Sequence, residues 1–515
     1  MKYKYATGAG YLRCTKAWVR TCVWLIVSGI CLACSSPKEQ KNRSAPDQPY
    51  NVLFIAVDDL RPEIGAYGNP IIKTPNIDRL AATSTLFQNH YVQVPTCGAS
   101  RASMLMGLLP RTRAHLQNSA MEKFMADEPE REIPESFVHH FRRNGYYTVG
   151  IGKISHSVDG LVYGYEESPD GAKAEMPHSW DEFLFEADKW GTGWNAFFGY
   201  ADGSNRQGKQ RQVKPYEMAD VEDTGYPDGI TAELALKQLQ LLADREQPFF
   251  LGVGFFKPHL PFTAPKKYWD LYLEDDIPLS AVPDLPEHVH EASLQKMGEF
   301  NSYEAGEERA SLDRRLSDDY ARKLRHAYFA SISYVDAQVG KVLDELKRLG
   351  LADNTIVVLW GDHGWHLGDH RVWGKHTILE TALKSPLIVK VPGQKARQVG
   401  DGTIVSSVDL YPSLMEWCGI AVDFPLDGQS LSRLVKEGVD SQRNNYAFSY
   451  FNNGISLRTD RYRLNRYFRE EEPTIELFDH QADPWESKNI AAEHPDVVEQ
   501  LLPLWEKGNT GLYNP

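Results

Sequence analysis

Hydrophobic residues in this chain are concentrated in four short runs that are bounded by polar, glycine or proline residues. Continuous runs of β-branched and aromatic residues are typical of strands that are buried on both faces of a parallel sheet. The four runs are Val52–Val57, Tyr147–Ile151, Phe249–Phe255 and Thr355–Trp360. Helical periodicity is clearest over residues 318–349 and ends at Gly350. The alternation of strands and helices predicts a doubly wound, mostly parallel α/β domain.

The last part of the chain has a different pattern, in which hydrophobic and polar residues alternate. Such alternation is typical of antiparallel strands. The alternating stretches are Tyr446–Phe451, Ile455–Thr459 and Tyr462–Tyr467. Because the composition becomes polar just before them, we predict a large domain over residues 51–435 and a smaller α+β subdomain with an antiparallel sheet over residues 436–515.

The N-terminal segment is typical of an export signal. An apolar run of 12 residues, Cys22–Ala33, follows a stretch that contains basic residues and no acidic one. The run is too short to span a bilayer, so we predict a signal peptide over residues 1–33 and a linker over residues 34–50. Because Leu32-Ala-Cys34 resembles a lipoprotein cleavage site, we expect a bacterial periplasmic or outer-membrane protein with a lipid anchor at Cys34. Ordinary cleavage near Ala33 is the alternative.

Composition narrows the class of protein further. The chain has 515 residues, of which 42% are hydrophobic and 24% charged, so it is neither disordered nor collagen-like. Its formal net charge of −14 becomes more negative when the basic leader is removed. A surface this acidic excludes nucleic acid as the natural partner. An anionic substrate would therefore need a local pocket of positive charge.

Ionisable residues follow each of the four predicted core strands. Ligands of open α/β sheets bind beyond the carboxyl ends of the strands, so we expect these residues to meet at one edge. Each pair alone has a simpler explanation, since Asp-Asp can cap a helix and a Lys-Pro-His turn can be solvated. Four pairs at corresponding positions favour one site that holds a cation and an anion. The residues are Asp58, Asp59, Lys153, His156, Lys257, His259, Asp362 and His363.

Two of the six cysteines, Cys97 and Cys418, lie beyond the predicted signal peptide and linker, so the chain has no disulfide framework. We expect Cys418, which lies among apolar residues, to be a small buried core residue. Cys97 precedes a helical pattern, and the free N–H groups of a helix N-terminus stabilise an anion. Because such a position lowers the pKa of a thiol, Cys97 taken alone could be a plain thiolate nucleophile.

The segment Cys97-Gly-Ala-Ser-Arg101 resembles the Cys-x-Pro/Ala-x-Arg signature of the type I sulfatases, with Ala99 where proline is more common. These sulfatases belong to the alkaline phosphatase superfamily. The resemblance runs from about Asn51 to Asn489 and is strongest to the iduronate-2-sulfatases. It rests on the segments Asp362-His-Gly-Trp365, Leu367-Gly-Asp-His370, Trp373-Gly-Lys375 and Leu477-Phe-Asp-His-Gln-Ala-Asp-Pro-Trp-Glu486.

The resemblance implies a modified nucleophile and a metal ion. A formylglycine-generating enzyme or an anaerobic maturase would convert Cys97 to formylglycine. The hydrate of this aldehyde would attack sulfur and become sulfated before it releases sulfate. The resemblance also implies one Ca²⁺ per chain, and carboxylate oxygens are ligands that suit this ion. Its ligands would be Asp58, Asp59, Cys97, Asp362 and His363.

The resemblance assigns roles to the other ionisable residues as well. Arg101 and His156 would hold and deprotonate the hydrate. Sulfate oxygens would be bound by Lys153, Lys375 and His259, and His259 would also protonate the leaving oxygen. Lys257 and His376 would support the site or contact the substrate.

The implied substrate is a sulfated polysaccharide or oligosaccharide that contains uronate, such as a glycosaminoglycan or the rhamnose-containing ulvan. We expect two segments without periodicity, 157–230 and 283–315, to form loops that shape the cleft, although solvated surface is the alternative for the second. Three tryptophans of the first segment are candidates for sugar stacking, with local packing as the alternative: Trp180, Trp190 and Trp194.

Two other functions remain open at this point. One is a phosphatase or phosphonate monoester hydrolase of the same superfamily. A two-zinc phosphatase needs a second set of Asp and His ligands, and the sequence offers no obvious complete set. The other is a glycan-binding pseudoenzyme in which Cys97 stays unmodified.

Overall fold

The longest strands, which are rich in β-branched and aromatic residues, lie at the centre of an eight-stranded sheet. The computed structural model describes residues 49–125, 135–400, 402–469 and 474–513. The strands of the sheet are, in chain order, β1 (Asn51–Val57), β2 (Thr85–Phe87), β3 (Tyr147–Gly152), β4 (Glu182–Leu184), β5 (Phe249–Phe255), β6 (Thr355–Gly361), β7 (Leu387–Lys390) and β8 (Arg397–Val399). β1, β3, β5 and β6 confirm the four strands predicted from the hydrophobic runs.

The sheet is mostly parallel, as predicted. Its spatial order is β8-β2-β7-β6-β1-β5-β3-β4. β1 pairs in parallel with both β6 and β5, and the parallel pairing continues through β3 to β4. On the other side, β7 runs antiparallel to both β6 and β2. Strands that are neighbours in space but distant in sequence require crossovers, which is the doubly wound α/β arrangement.

The central strand β1 is buried on both faces because each face carries its own core. Successive side chains of a strand point to opposite faces. Leu53, Ile55 and Val57 belong to one hydrophobic core, whereas Val52, Phe54 and Ala56 belong to the other. This two-sided burial explains why the core strands have no polar alternation in the sequence.

Helices cover both faces of the sheet. In chain order they are α1 (Pro75–Ala81), α2 (Cys97–Met106), α3 (Ala120–Met125), α4 (Phe137–Arg143), α5 (Gly193–Phe197), α6 (Pro227–Ala243), α7 (Lys266–Trp269), α8 (Asp318–Arg348), α9 (Glu380–Leu383), α10 (Leu410–Trp417), α11 (Ser432–Glu437) and α12 (Pro495–Trp505). α6 and α8 contribute to the core that contains Leu53, whereas α2, α4 and α10 contribute to the other.

α8 confirms the helix predicted over residues 318–349. Ser317 caps its N-terminus, since the side-chain oxygen accepts a hydrogen bond from the N–H of Tyr320. Gly350, just beyond the C-terminal end, has a φ of 73°, which a glycine adopts without a steric penalty.

A second sheet contains four antiparallel strands in chain order: β9 (Ala447–Phe451), β10 (Gly454–Arg458), β11 (Tyr462–Tyr467) and β12 (Thr474–Asp479). β9, β10 and β11 confirm the three stretches predicted from alternation. Ile455, Leu464 and Leu477 form a separate small core with Trp505 of α12. The antiparallel C-terminal sheet is therefore confirmed, while the boundary between residues 435 and 436 stays a prediction.

The two segments without periodicity contain short elements. Residues 157–230 include β4, α5 and a two-stranded ribbon of Leu161–Val162 with Lys173–Ala174. Residues 283–315 contain short 3-10 turns. The predicted signal peptide, Cys34 and nearly all of the linker lie outside the described residues. Within the described ranges, no helix is long and apolar enough to cross a membrane.

Candidate active site

The register of the parallel strands brings their following residues to one edge. Val57, the last residue of β1, is paired with Gly361 of β6 and with Phe255 of β5. Gly152, the last residue of β3, is paired with Gly254 of β5. The C-terminal ends of these four strands therefore lie at the same edge of the sheet, as the sequence predicted. The buried residues that follow include Asp58, Asp59, Lys153, Lys257, His259, Asp362 and His363.

Three carboxylates crowd together at this edge. Asp59 has a left-handed backbone (φ 57°), and its N–H donates a 2.9 Å hydrogen bond to Oδ1 of Asp362. Burial raises the pKa of Asp59 well above its usual value, and burial together with the Asp58 carboxylate raises the pKa of Asp362. Oδ1 of Asp58 is buried and has no hydrogen-bond partner among the described residues. A buried carboxylate oxygen without a donor is costly, so the cluster fits a bound cation.

The five residues predicted as metal ligands lie together. One ligand atom each from Asp58, Cys97, Asp362 and His363 falls within 4.8 Å of the others. Asp59 joins them, since its Oδ1 lies 3.4 Å from Nε2 of His363. The hard carboxylate oxygens suit Ca²⁺ or Mg²⁺ better than a softer transition metal. This donor set fits one divalent cation.

Cys97 is the first residue of α2 and is 3% exposed. Its Sγ lies 3.2 Å from Nζ of Lys375 and 3.3 Å from Nε2 of His363. Burial, followed by the Asp58 carboxylate, raises the pKa of the thiol to about 12. The expectation that the helix N-terminus lowers this pKa is therefore wrong, because burial and the neighbouring acids outweigh it. In this arrangement an unmodified thiolate is disfavoured as the nucleophile.

The N-terminus of α2 is capped from outside the helix. The side chain of Thr96, at the N-cap position, makes no capping hydrogen bond. Instead, Oδ1 of Asn118 accepts a 3.1 Å hydrogen bond from the N–H of Gly98. Gly98 allows this close approach, because a Cβ at that position would lie 2.0 Å from the backbone oxygen of Asn118. Asn118 thus fixes the helix turn that carries Cys97.

Arg101 is fully buried and binds the acid cluster. Its Nε donates a 3.0 Å hydrogen bond to Oδ2 of Asp362, and its Nη2 lies 3.7 Å from Oδ1 of Asp58. Nη1 donates to the backbone oxygens of Lys153 and, at 3.2 Å, Ile154. One guanidinium therefore ties α2 to the ends of β1, β3 and β6.

Two buried ammonium groups lie on either side of the cluster. Nζ of Lys153 donates a 2.5 Å hydrogen bond to Oδ2 of Asp58. Nζ of Lys375 donates to Oδ1 of Asp59 at 3.0 Å and to Sγ of Cys97. Although burial lowers the pKa of each lysine, the adjacent carboxylates raise it overall, so both groups stay charged.

The two predicted acid–base histidines line the same site. Nε2 of His259 lies 3.0 Å from Oε1 of Glu299. Burial lowers the pKa of the His259 ring to about 4. His156 is half-buried, and its ring lies 5.1 Å from that of Trp194. Burial, and then Lys153, hold the pKa of His156 well below its usual value. His156 is therefore neutral near pH 7, whereas the two ring nitrogens of His259 face the backbone oxygen of Leu260 at 2.7 Å and the Glu299 carboxylate, two acceptors that favour its protonated form.

Glu299 is a site residue that sequence reasoning missed. It belongs to the charged segment 283–315, for which solvated surface was the alternative. Its carboxylate contacts Nε2 of His259 at 3.0 Å and Nζ of Lys375 at 3.5 Å. No periodicity, strand end or motif marks this residue, so the sequence offers no signal for it.

Other predicted roles need correction. Trp190 and Trp194 are buried, and the ring of Trp180 packs against those of Phe183 and Phe250, so the local-packing alternative holds for all three tryptophans. Cys418 is half-buried at the C-terminal end of α10 rather than fully inside the core.

Lys257 and His376, to which the family resemblance assigns a supporting role, occupy different positions. Nζ of Lys257 donates to the backbone oxygens of His259 and Pro261, so it fixes the loop after β5. His376 is half-buried beside Lys375, and its ring stacks on Phe451.

Fold and site define the protein as an enzyme with the alkaline-phosphatase-like fold. The structure of a phosphonate monoester hydrolase from Agrobacterium radiobacter matches 89% of this chain and 96% of its own, with a TM-score of 0.69 and 23% identity. The structure of BT4656, solved with its substrate D-glucosamine-2-N,6-O-disulfate, covers 89% of this chain and 97% of its own, with a TM-score of 0.66 and 20% identity. At these identities the likeness establishes the fold.

The chain belongs to the sulfatase family, whose model matches residues 50–420. Residues 368–507 also match the C-terminal region of N-sulphoglucosamine sulphohydrolase. The family resemblance predicted from the motifs is confirmed.

Two relatives illustrate the extent of the match. Mouse iduronate 2-sulfatase is 33% identical over 395 residues, which are 74% of this chain and 65% of that enzyme. A sulfatase of Formosa agariphila is 30% identical over 503 residues, which are 94% of this chain and 92% of that protein. The chain thus spans slightly less than two thirds of the mouse enzyme and most of the bacterial one.

Proposed function

We propose that this protein is a formylglycine-dependent sulfatase that hydrolyses sulfate esters of a uronate-containing glycan. The observation that carries the proposal is the position of Cys97, whose Sγ lies against Nζ of Lys375 and Nε2 of His363 beside three buried carboxylates. A nucleophile there would have a cation site and an ammonium group in contact. Cleavage of a sulfate ester builds negative charge on sulfate and on the leaving oxygen, so preorganised positive charge is the main catalytic device.

The thiol of Cys97 is unsuited to attack sulfur itself, because its raised pKa keeps it protonated. Formylglycine at this position would supply an oxygen nucleophile through the hydrate of its aldehyde. The match of Cys97–Arg101 to the sulfatase signature supports this modification. A formylglycine-generating enzyme or an anaerobic maturase would carry it out.

The lysines and histidines would divide binding from proton transfer. Lys153 and Lys375 carry charges that suit sulfate oxygens. His156 is neutral, and its buried Nδ1 has no hydrogen-bond partner among the described residues, so it can accept a proton from the nucleophile. His259, whose Nε2 faces Glu299, can pass a proton to the leaving oxygen. Arg101 would hold the hydrate and keep the carboxylates that it binds in place.

We propose one Ca²⁺, held by Asp58, Asp59, Asp362, His363 and residue 97. When bound, the ion would neutralise the acid cluster and polarise the sulfate group. Metal analysis should find one divalent ion per chain, and Asp58→Asn should bind it much more weakly because a charged ligand is lost. Two zinc ions per chain, with activity restored by zinc alone, would contradict this assignment and favour a two-zinc phosphatase.

The substrate class is supported by the relatives' names. Besides iduronate 2-sulfatase, an ulvan-active sulfatase of Formosa agariphila is 26% identical over 488 residues, which are 90% of this chain. We therefore propose a sulfated uronate glycan as the substrate.

We also propose that the enzyme is exported and anchored by lipid at Cys34, where it would meet polysaccharide fragments at the bacterial envelope. Metabolic labelling with a fatty acid should mark the wild type and not Cys34→Ala. Equal labelling of both would refute the anchor without affecting the catalytic proposal.

Two measurements test the catalytic proposal. Mass spectrometry of the peptide that contains residue 97 should find an aldehyde oxygen in place of the thiol, whereas an intact cysteine in active preparations would refute the modification. Rates on a sulfate ester and a phosphate ester of the same phenol should favour sulfate. A preference for phosphate or phosphonate esters would support the hydrolase alternative, and no turnover of any ester would support the pseudoenzyme.

A further inference from the structure

A polar cavity opens directly beside the nucleophile position. Its volume is about 490 Å³, which lies within the range of roughly 300–1,000 Å³ for small-molecule sites. Two of its lining residues, Thr96 and His376, are the chain neighbours of Cys97 and Lys375. Consecutive Cα atoms are about 3.8 Å apart, so the lining of this cavity is continuous with the backbone that carries Cys97 and Lys375. We call it the Arg113 cavity, after the one arginine in its lining.

The lining of this cavity comes from parts of the chain that are distant in sequence. The segment that precedes α3 and the loop before α2 supply one wall, while the turn between β9 and β10 and the C-terminal residues supply the other. The lining residues are Thr96, Arg113, Leu116, Gln117, Asn118, His376, Phe451, Asn452, Asn453 and Tyr513. A substrate in the Arg113 cavity would therefore contact the N-cap residue of α2 and the C-terminal sheet together.

Arg113 supplies the positive charge of the cavity. It is exposed, and its Nη1 donates a 2.8 Å hydrogen bond to Oδ1 of Asn453. Its guanidinium carbon lies 5.5 Å from the ring centre of Tyr513. No carboxylate lies within ion-pair distance of Arg113 in the described part of the chain, and none lines the cavity. The side chain is thus held in place by an amide and a ring, and no described residue neutralises its charge.

The rest of the cavity is neutral. Burial and Lys375 lower the pKa of His376 to about 4, so its ring is uncharged near pH 7. That ring stacks on Phe451 with centres 5.1 Å apart and an angle of 14°. Gln117, Asn118 and Asn452 contribute amide groups that suit sugar hydroxyls. One arginine among rings and amides fits a sugar that carries a single negative charge.

We propose that Arg113 binds the carboxylate of a uronate residue and thereby selects uronate-containing substrates, an inference that rests on the proposed function. The guanidinium fork matches a carboxylate in two parallel hydrogen bonds. The global charge of the chain is negative, so an anionic sugar needs such a local partner. Arg113 is a specificity-determining residue in this assignment, distinct from the groups that bind sulfate.

The test compares wild type with Arg113→Ala on a 2-O-sulfated uronate disaccharide and on its carboxyl-reduced analogue. Hydrogen bonds to a charged group contribute substantially to the binding free energy. The variant's kcat/KM on the uronate should therefore fall by roughly 10- to 100-fold, mainly through a higher KM. Activity on the carboxyl-reduced sugar and on an aryl sulfate should be unchanged. Arg113→Lys should recover part of the loss, because it restores the charge without the fork.

Arg111→Ala is the matched control. Arg111 lies two residues away, is also exposed, and pairs with Asp427 outside this cavity. The Arg111→Ala variant should retain wild-type kcat/KM on both disaccharides. An equal loss for Arg113→Ala on the uronate and on its carboxyl-reduced analogue would overturn the inference, because it would show a packing role.

A binding measurement separates this inference from the proposed function. Calorimetry with a sulfate-free uronate oligosaccharide should give weaker binding to Arg113→Ala than to wild type, whether or not the enzyme releases sulfate. Equal binding to both proteins would overturn the carboxylate assignment. Failure of wild type to cleave any sulfate ester would instead overturn the proposed function.

Discussion

Glu299 lies between two groups that we assign to the sulfate ester, Nε2 of His259 and Nζ of Lys375. Its carboxylate can stabilise a protonated His259, yet its negative charge opposes the binding of sulfate. Glu299→Gln should therefore lower KM by a few-fold and lower kcat by roughly tenfold, because the proton donor loses its partner while repulsion decreases. Steady-state kinetics on an aryl sulfate measure both constants. A fall in kcat/KM with an unchanged kcat would contradict this role.

The two cysteines of the folded chain should respond differently to substitution. Cys97→Ala should abolish turnover and leave thermal stability nearly unchanged, because the residue supplies the nucleophile. Cys418→Ala should keep wild-type activity and cost about 1 kcal/mol or less, since the side chain is half-buried. Activity assays and thermal unfolding distinguish the two effects. Turnover by Cys97→Ala at the wild-type rate would refute the assignment of the nucleophile.

At the scale of single residues, the sequence located those that directly follow core strands, such as Asp58 and Asp362, because strand ends fix their positions. It also located Cys97 through a short motif. Asn118 and Glu299 were missed because each reaches the site from a loop whose course depends on tertiary packing. The pKa of Cys97 was predicted in the wrong direction, because burial is a property of the folded chain.

At the scale of elements, the first turn of α2 depends on the close contact between Gly98 and Asn118. Gly98→Ala would place a Cβ 2.0 Å from the backbone oxygen of Asn118, so the turn must shift. We expect a loss of stability of about 1–3 kcal/mol and a large loss of activity, measured by thermal unfolding and aryl sulfate hydrolysis.

Gly208→Ala is the matched control for that substitution. A Cβ on Gly208 would meet its nearest neighbour, the side chain of Asn205, at 3.4 Å, which is ordinary contact. It should leave stability and activity close to wild type. Wild-type behaviour of Gly98→Ala would contradict the close-contact account of the α2 N-terminus.

The elements differ in how clearly the sequence specified them. β1, β5 and α8 were predicted because long hydrophobic runs and sustained helical periodicity dominate local alternatives. β2 and β8 have three residues each and were missed, since segments this short carry no periodicity. The antiparallel pairing of β7 was also missed, because strand direction depends on the path of the connecting chain.

At the scale of the whole molecule, the proposed modification of Cys97 conflicts with the burial of this residue in the folded chain. Cys97 is 3% exposed, and Ala99 and Arg101 are fully buried, so a maturase could not reach the motif after folding. Folded, unmodified protein incubated with maturase should therefore keep its cysteine, whereas co-expression should yield formylglycine. Mass spectrometry of the residue 97 peptide provides the readout. Complete conversion of the folded protein would contradict this order of events.

The central claim is that this fold assembles a sulfatase site for uronate glycans around residue 97. The most direct measurement is sulfate release from a panel of defined sulfated oligosaccharides by calcium-loaded, co-expressed enzyme, with desulfated positions mapped by NMR. The account predicts release from a uronate-containing member and none by Cys97→Ala. Hydrolysis of aryl sulfates with no release from any uronate-containing glycan would contradict the substrate claim. Absence of sulfate release from every substrate, with formylglycine present at residue 97, would contradict the account as a whole.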